Sequence, residues 1–149
     1  MKKTTAFWDS SALVPLCIRQ AASRQAQLYL RKFDVVVWWG SFVEVHSAIC
    51  RLEREHLIND VNKQGAAARL HLLSRGWREV LPDDQLRNLA AASLDNYVLR
   101  AADALQLAAA LIWCQKRPTR RNFISADRRL SQAASAAGFL VLEIPTLIP

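Results

Sequence analysis

The sequence predicts an α/β fold: a mostly parallel sheet with helices on both faces and a helical insertion in the middle of the chain. Three observations predict it. Short β-branched or aromatic runs alternate with helical segments along the whole chain, and such alternation lays successive strands side by side and parallel. Four glycines and five prolines among 149 residues are too few turn-formers for a many-stranded sandwich or barrel. The composition, 52% hydrophobic and 22% charged, suits a buried core rather than a disordered polycation, and the length suits one domain over residues 1–149.

Thr4–Trp8 reads as the first strand, ending at Asp9-Ser10-Ser11. A helix follows over residues 12–19, starting near Ser11, and Pro15 fits it in the first turn, where a missing N–H costs little. Ala26, Leu28, Leu30 and Phe33, spaced among polar residues, give a helix over residues 23–33. Val35-Val36-Val37-Trp38 is a β-branched run too short for a helix and is the clearest strand. Gly40-Ser41 ends it. Ser41 and Glu44 form an S-x-x-E capping box that opens a helix to about His56. Helices are expected over residues 59–74 and from Asp83-Asp84 to about Asp95. Residues 101–116 are apolar nearly all round, the mark of a central, buried helix. Asn122–Ser125 is a short strand. Asp127 then opens a helix that closes at Gly138, a natural residue for the position just past a helix end, and residues 139–144 form the last strand.

Charge and cysteine usage bound the partners and the compartment. Twenty Lys and Arg against 13 Asp and Glu give a net charge of +7, which invites a polyanion but is weak support on its own. Asp9 interrupts any apolar run behind Met1-Lys2-Lys3, so no signal peptide is expected. The longest apolar stretch, residues 105–114, is too short to cross a bilayer and contains Gln106. Cys17, Cys50 and Cys114 are far apart, with neither CxxC nor zinc spacing, and read as reduced thiols of a cytoplasmic protein. His46, His56 and His71 make no ligand pattern.

Four carboxylates stand at strand–helix junctions or in first helical turns: Asp9, Glu44, Asp103 and Asp127. Singly, each is explained as a helix cap or a partner of the helix dipole. Together they can converge, because in a parallel sheet the strand-to-helix junctions line the carboxyl edge, where ligands bind. Two unit charges ~4 Å apart repel by roughly 4 kcal/mol at an effective dielectric near 20, so such a group either protonates or takes a cation. An all-carboxylate set without His or Cys suits Mg²⁺ or Mn²⁺. These ions commonly act on phosphates, and an acidic metal site in a basic protein points to a nuclease.

The same residues carry a family resemblance. Asp9-Ser10-Ser11-Ala12-Leu13-Val14 resembles the opening D-[ST]-S-A-L-V of PIN-domain ribonucleases, in particular toxins of the VapC type. Glu44 with Ser47-Ala48 and Arg51 resembles their E-x-x-S-A-x-x-R helix. Residues 100–108, Arg100 to Ala108, resemble R-x-x-D-A-L-H-L-A. Ser125, Asp127, Leu130, Ala133-Ala134 and Gly138 resemble T-x-D-x-x-L-x-x-A-A-x-x-x-G. The four motifs occur in the family's order over nearly the whole chain. The resemblance implies a three-layer PIN fold hydrolysing RNA with Mg²⁺ or Mn²⁺. It further implies a homodimer, and a small cognate antitoxin that wraps the toxin and obstructs its acidic pocket. It assigns Asp9, Glu44, Asp103 and Asp127 as the acidic quartet, with Asp9 and Asp103 as direct metal ligands and Glu44 and Asp127 holding a second metal or water. Gln106 stands where His is common, and Ser125 where Thr is common.

Around the quartet, Ser11 and Ser125 are candidates for orienting Asp9 and water, whereas Ser10 reads as a capping or turn residue. Arg100, Arg128 and Arg129 adjoin the acids and are candidates for RNA phosphates. Lys116, Arg117, Arg120 and Arg121 are denser but belong to a helix-to-strand loop on the opposite edge, and read as solvated. Arg51 and Arg54 are expected to pair with Glu53 or Glu55. Trp39 is a candidate for stacking an unpaired base or for packing against a second subunit or an antitoxin. Two other classes compete with the nuclease reading: a non-catalytic RNA-binding or protein-interaction PIN domain, and a DNA-directed PIN nuclease.

Overall fold

The structure, a computed structural model, describes residues 3–145. Its sheet contains β1 (Thr4–Trp8), β2 (Phe33–Trp38), β3 (Arg78–Val80), β4 (Asn122–Ser125) and β5 (Leu140–Glu143) in the order β3-β2-β1-β4-β5. Every pairing is parallel. The helices are α1 (Ser10–Cys17), α2 (Ser23–Lys32), α3 (Ser41–Arg54), α4 (Asp60–Gly76), α5 (Asp84–Asn96), α6 (Ala101–Trp113) and α7 (Arg128–Ala137).

Side-chain alternation sorts the strands onto two cores. Ala6 and Trp8 of β1, Val37 of β2 and Ile124 of β4 face one layer, where they pack with residues of α1 to α4. Phe7, Val36, Trp38 and Phe123 face the other, against α5, α6 and α7. The result is three layers, helix, sheet and helix, as expected. Phe7, Trp8 and Phe123 are fully buried, each contributing roughly 1.5–3 kcal/mol of apolar burial. Phe7 stacks on Phe123 with centroids 5.4 Å apart. β1, buried on both faces and bonded on both edges, is thereby fixed at the centre of the sheet. No described helix is long and apolar enough to cross a membrane.

Four local expectations are corrected. β3 interrupts the helical insertion and splits it into two crossovers, α3–α4 and α5–α6. Its three residues, Arg78-Glu79-Val80, make an edge strand with two charged side chains, so no apolar run announces it. Pro15 is the sixth of the eight residues of α1, beyond the first turn, and leaves the Ser11 carbonyl without an i+4 amide donor. Phe33 begins β2 rather than ending α2. The central helix stops at Trp113 instead of Lys116, because Gln115 and Lys116 adopt φ of 55° and 61°.

The left-handed turn at Gly138, by contrast, is as expected: it has φ 113° and caps α7 with an amide bond to Ala134 O. A Cβ there would meet Pro118 Cγ at 3.0 Å. Gly138→Ala is therefore expected to destabilise the fold by about 1–2 kcal/mol, measurable as a lowered urea midpoint. An unchanged midpoint contradicts the strain.

Candidate active site

Each predicted acid lies at the start of a helix on the carboxyl edge of the sheet. Asp9 caps α1 and Asp127 caps α7. Glu44 and Asp103 occupy the first turns of α3 and α6. The positive ends of four helix dipoles thus meet at the acids, and these partial charges partly offset the carboxylates.

Asp9 is the most enclosed, at 4% exposure. Its Oδ1 accepts the Ser11 amide at 2.8 Å, while Oδ2 accepts the hydroxyls of Ser11, at 2.7 Å, and Ser125. Those hydroxyls in turn accept backbone amides: Ala126 N donates to Ser11 Oγ at 2.9 Å, and Asp127 N to Ser125 Oγ at 3.0 Å. Both serines therefore relay the loop after β4 onto the Asp9 carboxylate. Burial, with Asp127 adding to it, raises the Asp9 pKa from 3.8 to about 6 against the three hydrogen bonds that lower it. Asp127 Oδ1 accepts Leu130 N at 2.9 Å. For Asp9 and Asp127 the side chain that caps a helix is also one of the four acids on the carboxyl edge.

Glu44 overturns its local explanation. Gly40, not Ser41, is the N-cap of α3, and no side chain caps it. Glu44 reaches away from the helix end, and its Oε2 accepts Ser10 Oγ at 2.5 Å and Gln106 Nε2 at 2.8 Å. Ser10 is thus a donor to Glu44 rather than a cap, and Ser41 Oγ accepts Gln106 Nε2 at 3.0 Å. Burial raises the Glu44 pKa, opposed by Ser10 and Gln106 and augmented by Asp103. Burial, then Asp127, raises that of Asp103, whose Oδ2 accepts Arg100 N at only 3.4 Å. The acids thus form an electrostatic chain, Asp9 to Asp127 to Asp103 to Glu44.

Among the described residues no three His, Cys, Asp or Glu side chains close around one point tightly enough to enclose a metal. That arrangement still fits a hard cation. Mg²⁺ keeps several waters and is commonly held by one or two carboxylates, and oxygen donors with no sulfur or imidazole are its ligand chemistry.

Arg100, Arg128 and Arg129, all exposed, line a cleft of about 500 Å³ with Ala102, Asp103 and Asp127. The three predicted phosphate contacts therefore stand beside two of the acids. A cleft of about 540 Å³ beside the end of α1 is lined by Arg19, Arg24 and Arg69 but by no carboxylate, and its volume gives it no comparable chemistry. Lys116, Arg117, Arg120 and Arg121 fall in the exposed α6–β4 loop, on the opposite edge, as expected. Glu53 pairs with Lys63 at 2.9 Å, which corrects its expected pairing with Arg51 or Arg54. Trp38 is buried, whereas Trp39 is 52% exposed beside it on the carboxyl edge. The sequence reading passed over Ser10, Ser41 and Gln106 as a group. Their only signal was Gln106 itself, a polar residue in the most apolar helix.

No protein-family profile matches the sequence, and no curated protein matches it. Solved structures do. A chain of a toxin–antitoxin complex from Klebsiella pneumoniae superposes with a TM-score of 0.67 at 14% identity, covering 96% of this chain and 100% of that one. PAE2754 from Pyrobaculum aerophilum gives 0.64 at 16% identity, over 95% and 90%. FitAcB from Neisseria gonorrhoeae gives 0.63 at 15%, over 93% and 97%. At these identities the likeness is one of fold, and the fold is the PIN-like α/β arrangement that the four motifs imply.

Proposed function

We propose that this chain, with a PIN-like fold shared by a chain of a toxin–antitoxin complex, is a Mg²⁺- or Mn²⁺-dependent endoribonuclease and the toxin of such a pair. One observation carries the reading: four carboxylates from four helix starts share one sheet edge with a cleft lined by three exposed arginines. A site for a phosphodiester needs both signs of charge, acids to hold a cation and bases to hold phosphates.

Asp9 and Asp103 are assigned as direct ligands, with Glu44 and Asp127 holding water or a second ion. When bound, a divalent cation lowers the pKa of a water and offsets charge developing on the phosphate. Ser11 and Ser125 keep Asp9 aimed by donating to one of its oxygens. Arg100, Arg128 and Arg129 hold the RNA backbone, and Trp39, exposed on the same edge, offers a face to an unpaired base. With water as nucleophile rather than the ribose 2′-hydroxyl, the products carry 5′-phosphate and 3′-hydroxyl ends. A small antitoxin covering the acidic cleft, and a homodimer of this chain, complete the proposal, with the cytoplasm as its setting.

The test uses purified protein and single-stranded RNA. Cleavage is expected with Mg²⁺ or Mn²⁺, is abolished by EDTA and returns when the metal is restored. Cleavage indifferent to EDTA refutes the metal mechanism. RNA binding without cleavage under every metal and substrate supports a binding domain instead.

A further inference from the structure

Gln106 stands in the middle of α6, the most apolar helix of the chain, and is 1% exposed. Its Nε2 lies 2.7 Å from Ser10 Oγ, 3.0 Å from Ser41 Oγ and 2.8 Å from Glu44 Oε2. One amide nitrogen thus touches the starts of both α1 and α3. Ser10 Oγ donates its own hydrogen bond to the same Glu44 oxygen. Gln106 Oε1 is buried and has no hydrogen-bond partner among the described residues.

That orphan decides what the amide is for. A buried amide placed only to fill space takes the orientation that satisfies both its ends, because an unpaired buried acceptor is costly. Here the reverse orientation sets the amide oxygen against the Glu44 carboxylate, acceptor against acceptor. The observed orientation keeps the donor on Glu44 and leaves Oε1 unpaired. The position serves Glu44 rather than the packing of α6. Gln106 also follows Asp103 by three residues, so the two share a face of α6, and Asp103 is the acid whose charge Glu44 feels.

We infer that Gln106 is a positioning residue that holds the Glu44 carboxylate in the acidic pocket, the two protons of its Nε2 being shared among Glu44, Ser10 and Ser41 at the starts of α1 and α3. The inference rests on the metal-site reading above for its effect on ion binding, but the position of Glu44 stands apart from it. Gln106 touches neither the ion nor the substrate; it acts through Glu44.

The experiment compares wild type, Gln106→Met and Gln106→His. Methionine is nearly isosteric and removes the donor; histidine supplies an N–H in its place. Mn²⁺ affinity is measured calorimetrically on the full chain, and Glu44 is located in crystal structures of each variant. Gln106→Met is expected to weaken Mn²⁺ binding by about 10- to 100-fold and to move the Glu44 carboxylate away from Ser10. Its thermal midpoint, read alongside, separates this from loss of fold. Gln106→His is expected to recover most of the affinity. Ser10→Ala, at a partly exposed position, removes one donor to Glu44 without opening the core, and is expected to weaken Mn²⁺ binding less than Gln106→Met. Wild-type affinity with an unmoved Glu44 in Gln106→Met overturns the inference, as does a larger loss in Ser10→Ala. A wild type that binds no Mn²⁺ defeats the metal reading instead, and the place of Glu44 in the paired structures then decides the role of Gln106.

Discussion

Asp9→Asn is expected to fold normally and to cleave RNA at least about 100-fold more slowly than wild type at saturating Mg²⁺, since losing a few kcal/mol of charge stabilisation costs about that much. Few substitutions isolate chemistry so cleanly. Asparagine caps a helix as well as aspartate, so the bond from Ser11 N to the side-chain oxygen survives. The Asn amide then faces Ser11 Oγ and Ser125 Oγ, hydroxyls with lone pairs to accept it. What disappears is the negative charge. Single-turnover cleavage of a labelled RNA, with circular dichroism as the control for folding, is the measurement. Wild-type rates in a folded variant exclude Asp9 from the reaction.

The same substitution is expected to stabilise the metal-free protein, and increasingly so as pH rises. The folded pKa of Asp9 lies at about 6, above its ordinary value of 3.8, so between those values the folded state binds more protons than the unfolded one. The stability from this group is full below about pH 4 and is lost as pH rises through 6. At pH 8 the loss amounts to as much as about 3 kcal/mol. Glu44 and Asp103, raised in the same direction chiefly by burial, add to the trend. The difference in thermal midpoint between Asp9→Asn and wild type in EDTA should therefore grow from pH 4 to pH 8, reaching several degrees. Added Mg²⁺ should stabilise wild type above pH 6 and Asp9→Asn far less. A difference that stays flat across this range contradicts the buried charge.

How much of this was legible in the sequence depends on what each residue answers to. β1, β4 and Gly138 answer to local chemistry, a short apolar run or a left-handed turn, and local chemistry is written in consecutive residues. β3 answers to its neighbour: Val36, Val37 and Trp38 of β2 offer free backbone groups, and Arg78-Glu79-Val80 accepts them whatever its own propensity. Glu44 misled in the same manner. Ser41 and Glu44 have the spacing of a capping box, but Ser10 and Gln106, 34 and 62 residues away along the chain, supply better donors than the helix end. Pro15 shows the opposite limit, since its rank within α1 depends on where Asp9 starts the helix. The four acids were readable because their positions follow from topology, whereas the amide that steadies one of them depends on side-chain geometry.

The place of β1 bears on how the protein is made. Among the described residues it is the first strand in sequence and the middle strand of the sheet, bonded on one side to β2 and on the other to β4. The first seam joins partners that are near in sequence, Thr4 against Phe33. The second joins partners as far apart as Ala6 and Asn122, and non-local pairings of that kind form late and slowly. While the chain emerges from the ribosome, Asp9 and Glu44 exist before Asp103 and Asp127 are made. A growing chain therefore holds two of the four acids, and all four come together only when the β1–β4 seam shuts.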